Sequence, residues 1–178
     1  MSDSQSTALS TDPIIGIDLG TTNSLVAYVD ARGARVLGKS GEQLMPSVVR
    51  VELDGSVVVG QSAADGMVEF PDRTINSIKR LMGRSLADAS ADLKYLGYEV
   101  ISGEHDTAKV RVMTDAGVSV LSPEEVSAMI LLALKERAEK ALGTEVSKAV
   151  VTVRQRNPLR RQHYSQHAGQ HHLCQRQR

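Results

Sequence analysis

The 178-residue sequence has one cysteine, no tryptophan and only five other aromatic residues, four tyrosines and one phenylalanine. The lone Cys174 excludes a disulfide within the chain and is typical of a reducing compartment, so we expect a cytoplasmic protein. So few rings disfavour nucleic-acid binding by base stacking. No apolar run is long enough to cross a bilayer, and polar residues 1–12 lack the regions of a signal peptide. We therefore expect no membrane association, and a disordered segment over residues 1–12.

The formal net charge of zero conceals two compositional classes. Residues 154–178 contain six arginines, four of the five histidines and no lysine or acidic residue. Residues 1–153 carry 15 basic and 21 acidic side chains. This contrast predicts one ordinary domain over residues 13–153, followed by a basic tail.

The stretch around which the chain is organised runs from Ile14 to Ser24. Its β-branched start predicts a strand over 14–19, and the apolar alternation that resumes at Leu25 predicts a hairpin. Gly20 permits a positive φ at the turn, and successive backbone N–H groups there suit a phosphate. Thr21 and Thr22 add hydroxyl donors, and Asp18 stands where a divalent cation would bridge to that phosphate. The residues alone equally allow a simple hairpin turn with no ligand.

Further strands are predicted at 24–30, 34–37, 47–51 and 57–59, with Pro46 at the start of the fourth strand. Residues 60–70 predict a short helix. A second helix is predicted from Thr74, with Ile75, Ile78 and Met82 on one face. From composition alone, Lys79 and Arg80 near the end of this helix are typical of a solvated surface. Short alternating runs within residues 85–121 predict a small antiparallel accessory layer.

The clearest helix is predicted over 123–142. Ser122 and Glu125 form a capping box, Pro123 occupies the first position, and Gly143 ends the helix. We expect a buried stripe that includes Val126, Met129, Ile130, Ala133, Leu134, Ala138, Ala141 and Leu142. Glu136 and Lys140 are expected to pair on the exposed side. Residues 149–153 then predict a buried strand, parallel to the first one.

Three motifs resemble the seventy-kilodalton heat-shock chaperones, the DnaK-type ATPases, over residues 14–153. These are Ile-Asp-Leu-Gly-Thr-Thr-Asn-Ser at 17–24, Pro-Ser-Val at 46–48 and Lys-Arg-Leu-Met-Gly-Arg at 79–84. The resemblance implies an α/β fold of the actin-like, ribonuclease-H-like class. The chain would form its first lobe, with 85–121 as an accessory subdomain. The sequence of residues 80–88 also resembles the HscA branch of this family, which serves iron–sulfur cluster assembly.

The resemblance implies ATP or ADP with Mg²⁺ as cofactors. Asp18 would hold Mg²⁺ through water, and Gly20, Thr21, Thr22 and Asn23 would cradle the phosphates. Lys79 would reach the γ-phosphate and the attacking water, and Arg80 would edge the nucleotide site. Intact relatives hydrolyse ATP to bind and release unfolded polypeptides, with J-domain and nucleotide-exchange partners. The second phosphate loop, the second lobe and the peptide-binding domain would lie beyond Val153, so we expect little ATPase activity from this chain.

The resemblance stops after Val153, where Arg154 replaces the family's proline. This abrupt change suggests a frameshift, a mis-called gene end or a chimeric junction. We expect residues 154–178 to be disordered. His163, His167, His171 and Cys174 have helical spacing, which leaves a zinc site open, and the arginines leave RNA or an acidic protein surface open. Two alternatives remain for function: a small-molecule kinase of the same superfamily, against which 46–48 and 79–80 argue, and a non-catalytic interaction protein acting through its tail.

Overall fold

The central sheet joins the two ends of the described chain. The computed structural model describes residues 13–152. The sheet consists of β1 (Ile14–Asp18), β2 (Asn23–Asp30), β3 (Gly33–Val36), β4 (Met45–Pro46) and β11 (Lys148–Thr152). The order is β11-β1-β2-β3, with β4 also paired to β2. The β1–β11 pair is parallel and the other pairs are antiparallel, so the predicted hairpin and the predicted parallel strand are confirmed.

Two small antiparallel sheets flank the central one. The first comprises β5 (Val49–Val51), β6 (Val57–Val59) and β7 (Thr74–Ile75), in the order β6-β5-β7. The second comprises β8 (Glu99–Ser102), β9 (Ala108–Thr114) and β10 (Gly117–Leu121), in the order β10-β9-β8. Short helices lie between strands: α1 (Gln61–Asp65), a 3-10 turn (Ile78–Arg80), α2 (Leu86–Leu93) and a second 3-10 turn (Glu104–Asp106).

The long helix α3 (Pro123–Leu142) holds the three sheets together. It contacts β1 and β2 of the central sheet, β5 and β6 of the first flanking sheet, and β9 of the second flanking sheet. Val126, Ile130, Leu134 and Ala138 on its inner face are fully buried. Both halves of the predicted capping box are present, and Gly143 ends the helix with φ 69°. The fold is therefore mixed α/β, of the predicted class.

Two details of the α3 prediction are wrong. Ala141 is exposed, because it lies one residue off the stripe that ends at the buried Leu142. The ion pair on the exposed side joins Lys135 to Glu139, at 2.6 Å, rather than Glu136 to Lys140. Glu139 is held in this pair because its carboxylate also accepts a hydrogen bond from the backbone N–H of Val146, at 3.0 Å.

The prediction that β11 is buried is wrong. All five of its residues are exposed, with Val150 at 61% and Val151 at 42%. β11 is the edge strand beside β1, and no described element covers it on its outer side. An apolar groove of about 370 Å³ separates it from α3. An apolar run in a sequence reports the tendency to be buried, whereas burial itself depends on what packs against the strand.

The helix predicted from Thr74 is also wrong. Thr74 and Ile75 form β7, which pairs with Val49 and Arg50 of β5. Ser77 then adopts a left-handed conformation, φ 53°, and only Ile78–Arg80 form a 3-10 turn. Tertiary pairing with β5 therefore overrides the helical spacing of the apolar residues.

Two neighbouring boundaries differ as well. The helix predicted over 60–70 is confined to Gln61–Asp65. Pro46 does not begin the strand that contains Val49; it lies in β4 and pairs with Asn23. A proline is accepted there because this ladder position requires no N–H from it.

Within residues 13–152, no helix is both long and apolar enough to cross a membrane. The expectations for residues 1–12 and for the basic tail, including its histidines and Cys174, lie outside the described residues.

Candidate phosphate-binding site

The turn between β1 and β2 is built on a close backbone approach at Gly20. A Cβ atom at this position would lie only 1.9 Å from the carbonyl oxygen of Asn23. Gly20 does not have a positive φ, so the expectation that glycine is needed there for a left-handed turn is wrong. Glycine is required because the chain folds back onto itself with no room for a side chain.

Two buried serines brace this turn from one side. The Gly20 N–H donates to the hydroxyl of Ser24 at 3.1 Å, and the Ser47 hydroxyl donates to the Gly20 carbonyl at 3.0 Å. The two hydroxyl oxygens lie 2.8 Å apart. A hydroxyl has one proton, and that of Ser47 is already donated to Gly20, so Ser24 is the donor between them. The backbone N–H of Ser47 also donates to the Thr22 carbonyl, at 2.8 Å.

Within the described residues, the hydrogen-bond donors of the two threonines in the turn are unused. Thr21 is half-buried and Thr22 is exposed. Among the contacts within residues 13–152, neither the N–H nor the hydroxyl of either threonine donates a hydrogen bond. The turn therefore presents two amides and two hydroxyls, a donor set that suits an anion with several oxygens.

Lys79 reaches the turn from the side of the β6-β5-β7 sheet. Its ammonium group donates to the carbonyl of Leu19 at 2.5 Å, although the two residues are 60 positions apart. The side chain is positioned by the 3-10 turn that follows β7. Burial lowers the pKa of Lys79, and the nearby negative charge of Asp18 opposes that shift. The site thus combines a positive charge with the free donors of the turn.

Asp18 lies at the end of β1 and is exposed. The hydroxyl of Thr152, the parallel neighbour of Asp18 on β11, lies 3.3 Å from one carboxylate oxygen and 3.3 Å from the Ile17 carbonyl. In the described part of the chain, the other carboxylate oxygen makes no hydrogen bond. Residues 13–152 contain no cluster of three or more metal-ligating side chains, so any cation here would rely on Asp18, water and the ligand itself.

The contacts of Arg80 do not bring it to the turn, to Asp18 or to Lys79. Its exposed guanidinium pairs with Asp92 of α2 at 3.1 Å, and Arg84 pairs with the same carboxylate at 2.7 Å. Hydrogen bonds from Arg84 and then from Arg80 lower the pKa of Asp92. Asn23 belongs to β2, directly after the turn, and its side chain is exposed.

The residues present fit a magnesium polyphosphate. Mg²⁺ is usually bound through one or two carboxylates together with phosphate oxygens and water, which is what Asp18 beside a phosphate would supply. Thr21 and Thr22 offer donors to phosphate oxygens, and Lys79 offers a compact positive charge. When bound, the metal would neutralise charge on the phosphates.

Sequence reasoning missed three residues of this site. Ser47 and Ser24 hold the turn, and Thr152 contacts Asp18. The only signal for Ser47 was its place in the Pro-Ser-Val motif, which says nothing about its partner 27 residues away. Thr152 was detectable in principle, because the predicted parallel pairing of its strand with β1 brings the two carboxyl ends together.

The fold and the turn define a class of protein: an actin-like α/β lobe whose first hairpin carries a turn suited to phosphate. A family model described as Hsp70 protein matches residues 14–158. The chain therefore belongs to the Hsp70 family, whose members are chaperones that bind ATP with Mg²⁺.

Proposed function

We propose that residues 13–152 bind the phosphates of Mg-ATP or Mg-ADP as the first lobe of a DnaK-type chaperone ATPase. Thr21, Thr22 and Asn23 cradle the β- and γ-phosphates, and Gly20 allows the close backbone approach that shapes the turn. Asp18 holds Mg²⁺ through water. The observation that carries the proposal is the ammonium group of Lys79, which lies at a turn whose threonine donors have no partner in the described chain.

Lys79 has the chemistry that phosphoryl transfer needs. A lysine ammonium is a compact charge that stabilises negative charge developing on the transferred phosphoryl oxygens, and it can orient an attacking water. Its lowered pKa reflects partial desolvation, which strengthens its attraction to an anion. We propose that Arg80 lies at the edge of the bound nucleotide.

Phosphoryl transfer depends on groups arranged around the whole triphosphate, and residues 13–152 supply one side of it. We propose that this chain binds nucleotide but turns it over slowly. The intact chaperone would use ATP hydrolysis to bind and release unfolded polypeptides in the cytoplasm. J-domain and nucleotide-exchange proteins would be its partners, and the motif at residues 80–88 leaves an iron–sulfur-assembly role open.

The test is a titration of the protein with Mg-ADP and Mg-ATP, followed by backbone amide shifts. We expect shifts at Thr21 and Thr22 that require magnesium. Lys79→Ala should weaken Mg-ATP binding about tenfold, the equivalent of about 1.4 kcal/mol. Lys140→Ala is the matched control, because it removes the same charge from an exposed site on α3. The proposal fails if neither nucleotide shifts the turn amides with magnesium present.

A steady-state assay tests the second part of the proposal. We expect phosphate release by the unmodified chain to stay close to background. A sustained turnover that disappears in Lys79→Ala would show instead that this chain is a competent ATPase.

A further inference from the structure

We propose that Ser47, assisted by Ser24, is a positioning residue that orients the backbone of the phosphate-binding turn. This inference rests on the proposed function, since it concerns how the same turn presents its N–H groups. Ser47 lies between β4 and β5, outside the turn, and the residue is 2% exposed. It contacts the turn twice, with its hydroxyl at the Gly20 carbonyl and with its N–H at the Thr22 carbonyl.

Each contact fixes the direction of one peptide plane. The described chain contains no cis peptide bond, so the C=O of one residue and the N–H of the next point in opposite directions. When the Gly20 carbonyl faces Ser47, the Thr21 N–H faces away from Ser47. When the Thr22 carbonyl faces Ser47, the Asn23 N–H faces away as well. One residue therefore directs two alternate N–H groups of the turn to the same side.

Ser24 makes this arrangement unambiguous. Its oxygen accepts from the Gly20 N–H, and its proton is donated to the Ser47 oxygen. The Ser47 proton is then committed to the Gly20 carbonyl, so the pair has a single pattern of donors and acceptors. Both serines are almost fully buried, and leaving either hydroxyl without a partner would be costly. The turn is thus held in one orientation before any ligand arrives, which reduces the ordering cost of binding.

The probe for this inference is Mg-tripolyphosphate, which contains the polyphosphate without the nucleoside. Binding is measured in the unmodified protein and in Ser47→Ala, together with backbone ¹⁵N order parameters in the free protein. We expect about tenfold weaker binding and lower order parameters at Thr21, whose peptide plane the Ser47 hydroxyl fixes. Asn23 and α3 should change little, because the backbone N–H of Ser47 still donates to the Thr22 carbonyl. Ser62→Ala, an exposed serine on α1, is the control and should change neither quantity.

Ser47→Cys is the second variant, because it keeps the side-chain volume and has only a weak donor. It should give an intermediate loss even if Ser47→Ala does not fold. Unchanged affinity and unchanged order parameters in both variants would overturn the inference while leaving the proposed function intact. A loss of order spread over the whole protein would also overturn it, since Ser47 would then be a general structural residue. No binding of Mg-tripolyphosphate to the unmodified protein would also overturn this inference, whereas the proposed function is decided separately by the titration with Mg-ADP and Mg-ATP.

Discussion

Replacing Gly20 by alanine tests the backbone approach on which the turn depends. The added Cβ would lie 1.9 Å from the Asn23 carbonyl oxygen, whereas ordinary contacts begin near 3.4 Å. The carbonyl would have to retreat by about 1.5 Å, and neither atom belongs to a flexible side chain that can rotate away. Asn23 is also paired with Pro46 of β4, so the movement would disturb that pairing.

The magnitude follows from two contributions. Overpacking of a rigid region typically costs about 1–3 kcal/mol, and each hydrogen bond between Ser47 and the turn contributes about 1 kcal/mol. We therefore expect Gly20→Ala to lower the free energy of unfolding by about 2–4 kcal/mol. With an m-value of about 1–3 kcal/mol per molar urea, the unfolding midpoint should fall by about 1 M or more.

Substitutions at two other glycines distinguish a steric clash from an unfavourable backbone conformation. At Gly16 of β1 the nearest atom to an added Cβ is 4.0 Å away, so Gly16→Ala should be neutral or stabilising by up to about 1 kcal/mol. At Gly33 the space is open but φ is 107°, so Gly33→Ala should cost about 1–2 kcal/mol through conformation alone. The reasoning is refuted if Gly20→Ala unfolds at the same urea concentration as Gly16→Ala.

Four further predictions concern Lys79, Tyr98 and β11. Asp18→Asn should lower the pKa of Lys79 further, because it removes the charge that opposes the effect of burial; NMR titration of the Lys79 side chain would contradict this by showing no change or a rise. Burial holds the pKa of Lys79 below its ordinary value of 10.5, so the charged side chain is less favourable in the folded chain than in the unfolded chain. The free energy of unfolding should therefore rise as pH increases from the folded pKa towards 10.5 and be lower below the folded pKa, which urea unfolding across that range would show. Tyr98→Phe should cost about 1–2 kcal/mol in urea unfolding, because the buried phenol donates to the Asn76 carbonyl at 2.7 Å, and a cost near zero would mean that water replaces the bond. Val150→Lys on the exposed β11 should change the free energy of unfolding by less than about 0.5 kcal/mol, and a larger loss would show that this strand is covered in solution.

Features whose cause is local were predictable from the sequence. The capping box at Ser122 and the αL residue at Gly143 define α3, because both depend on residues within one turn of the helix ends. The β1–β2 hairpin followed from alternating apolar residues on both sides of a small-residue turn. At the site, the same local pattern indicated Asp18 and the two threonines.

Features whose cause is distant in the sequence were not predictable. Ile75, Ile78 and Met82 have helical spacing, yet the pairing of Thr74 and Ile75 with β5 makes those two residues a strand. The apolar residues of β11 suggested burial, but no pattern within the strand says what covers it. At the candidate site, the contact of Ser47 with Gly20 and that of Lys79 with Leu19 both cross long stretches of chain.

The contact between Lys79 and Leu19 has a mechanical consequence. Leu19 follows a strand of the central sheet, whereas Lys79 follows β7, which is hydrogen-bonded within a different sheet. A sideways slip between these two sheets, even by a fraction of an ångström, would alter the separation of the ammonium group from the turn. The strength of the electric field at the turn therefore depends on how these two sheets pack against each other. Core substitutions far from Lys79 should change it.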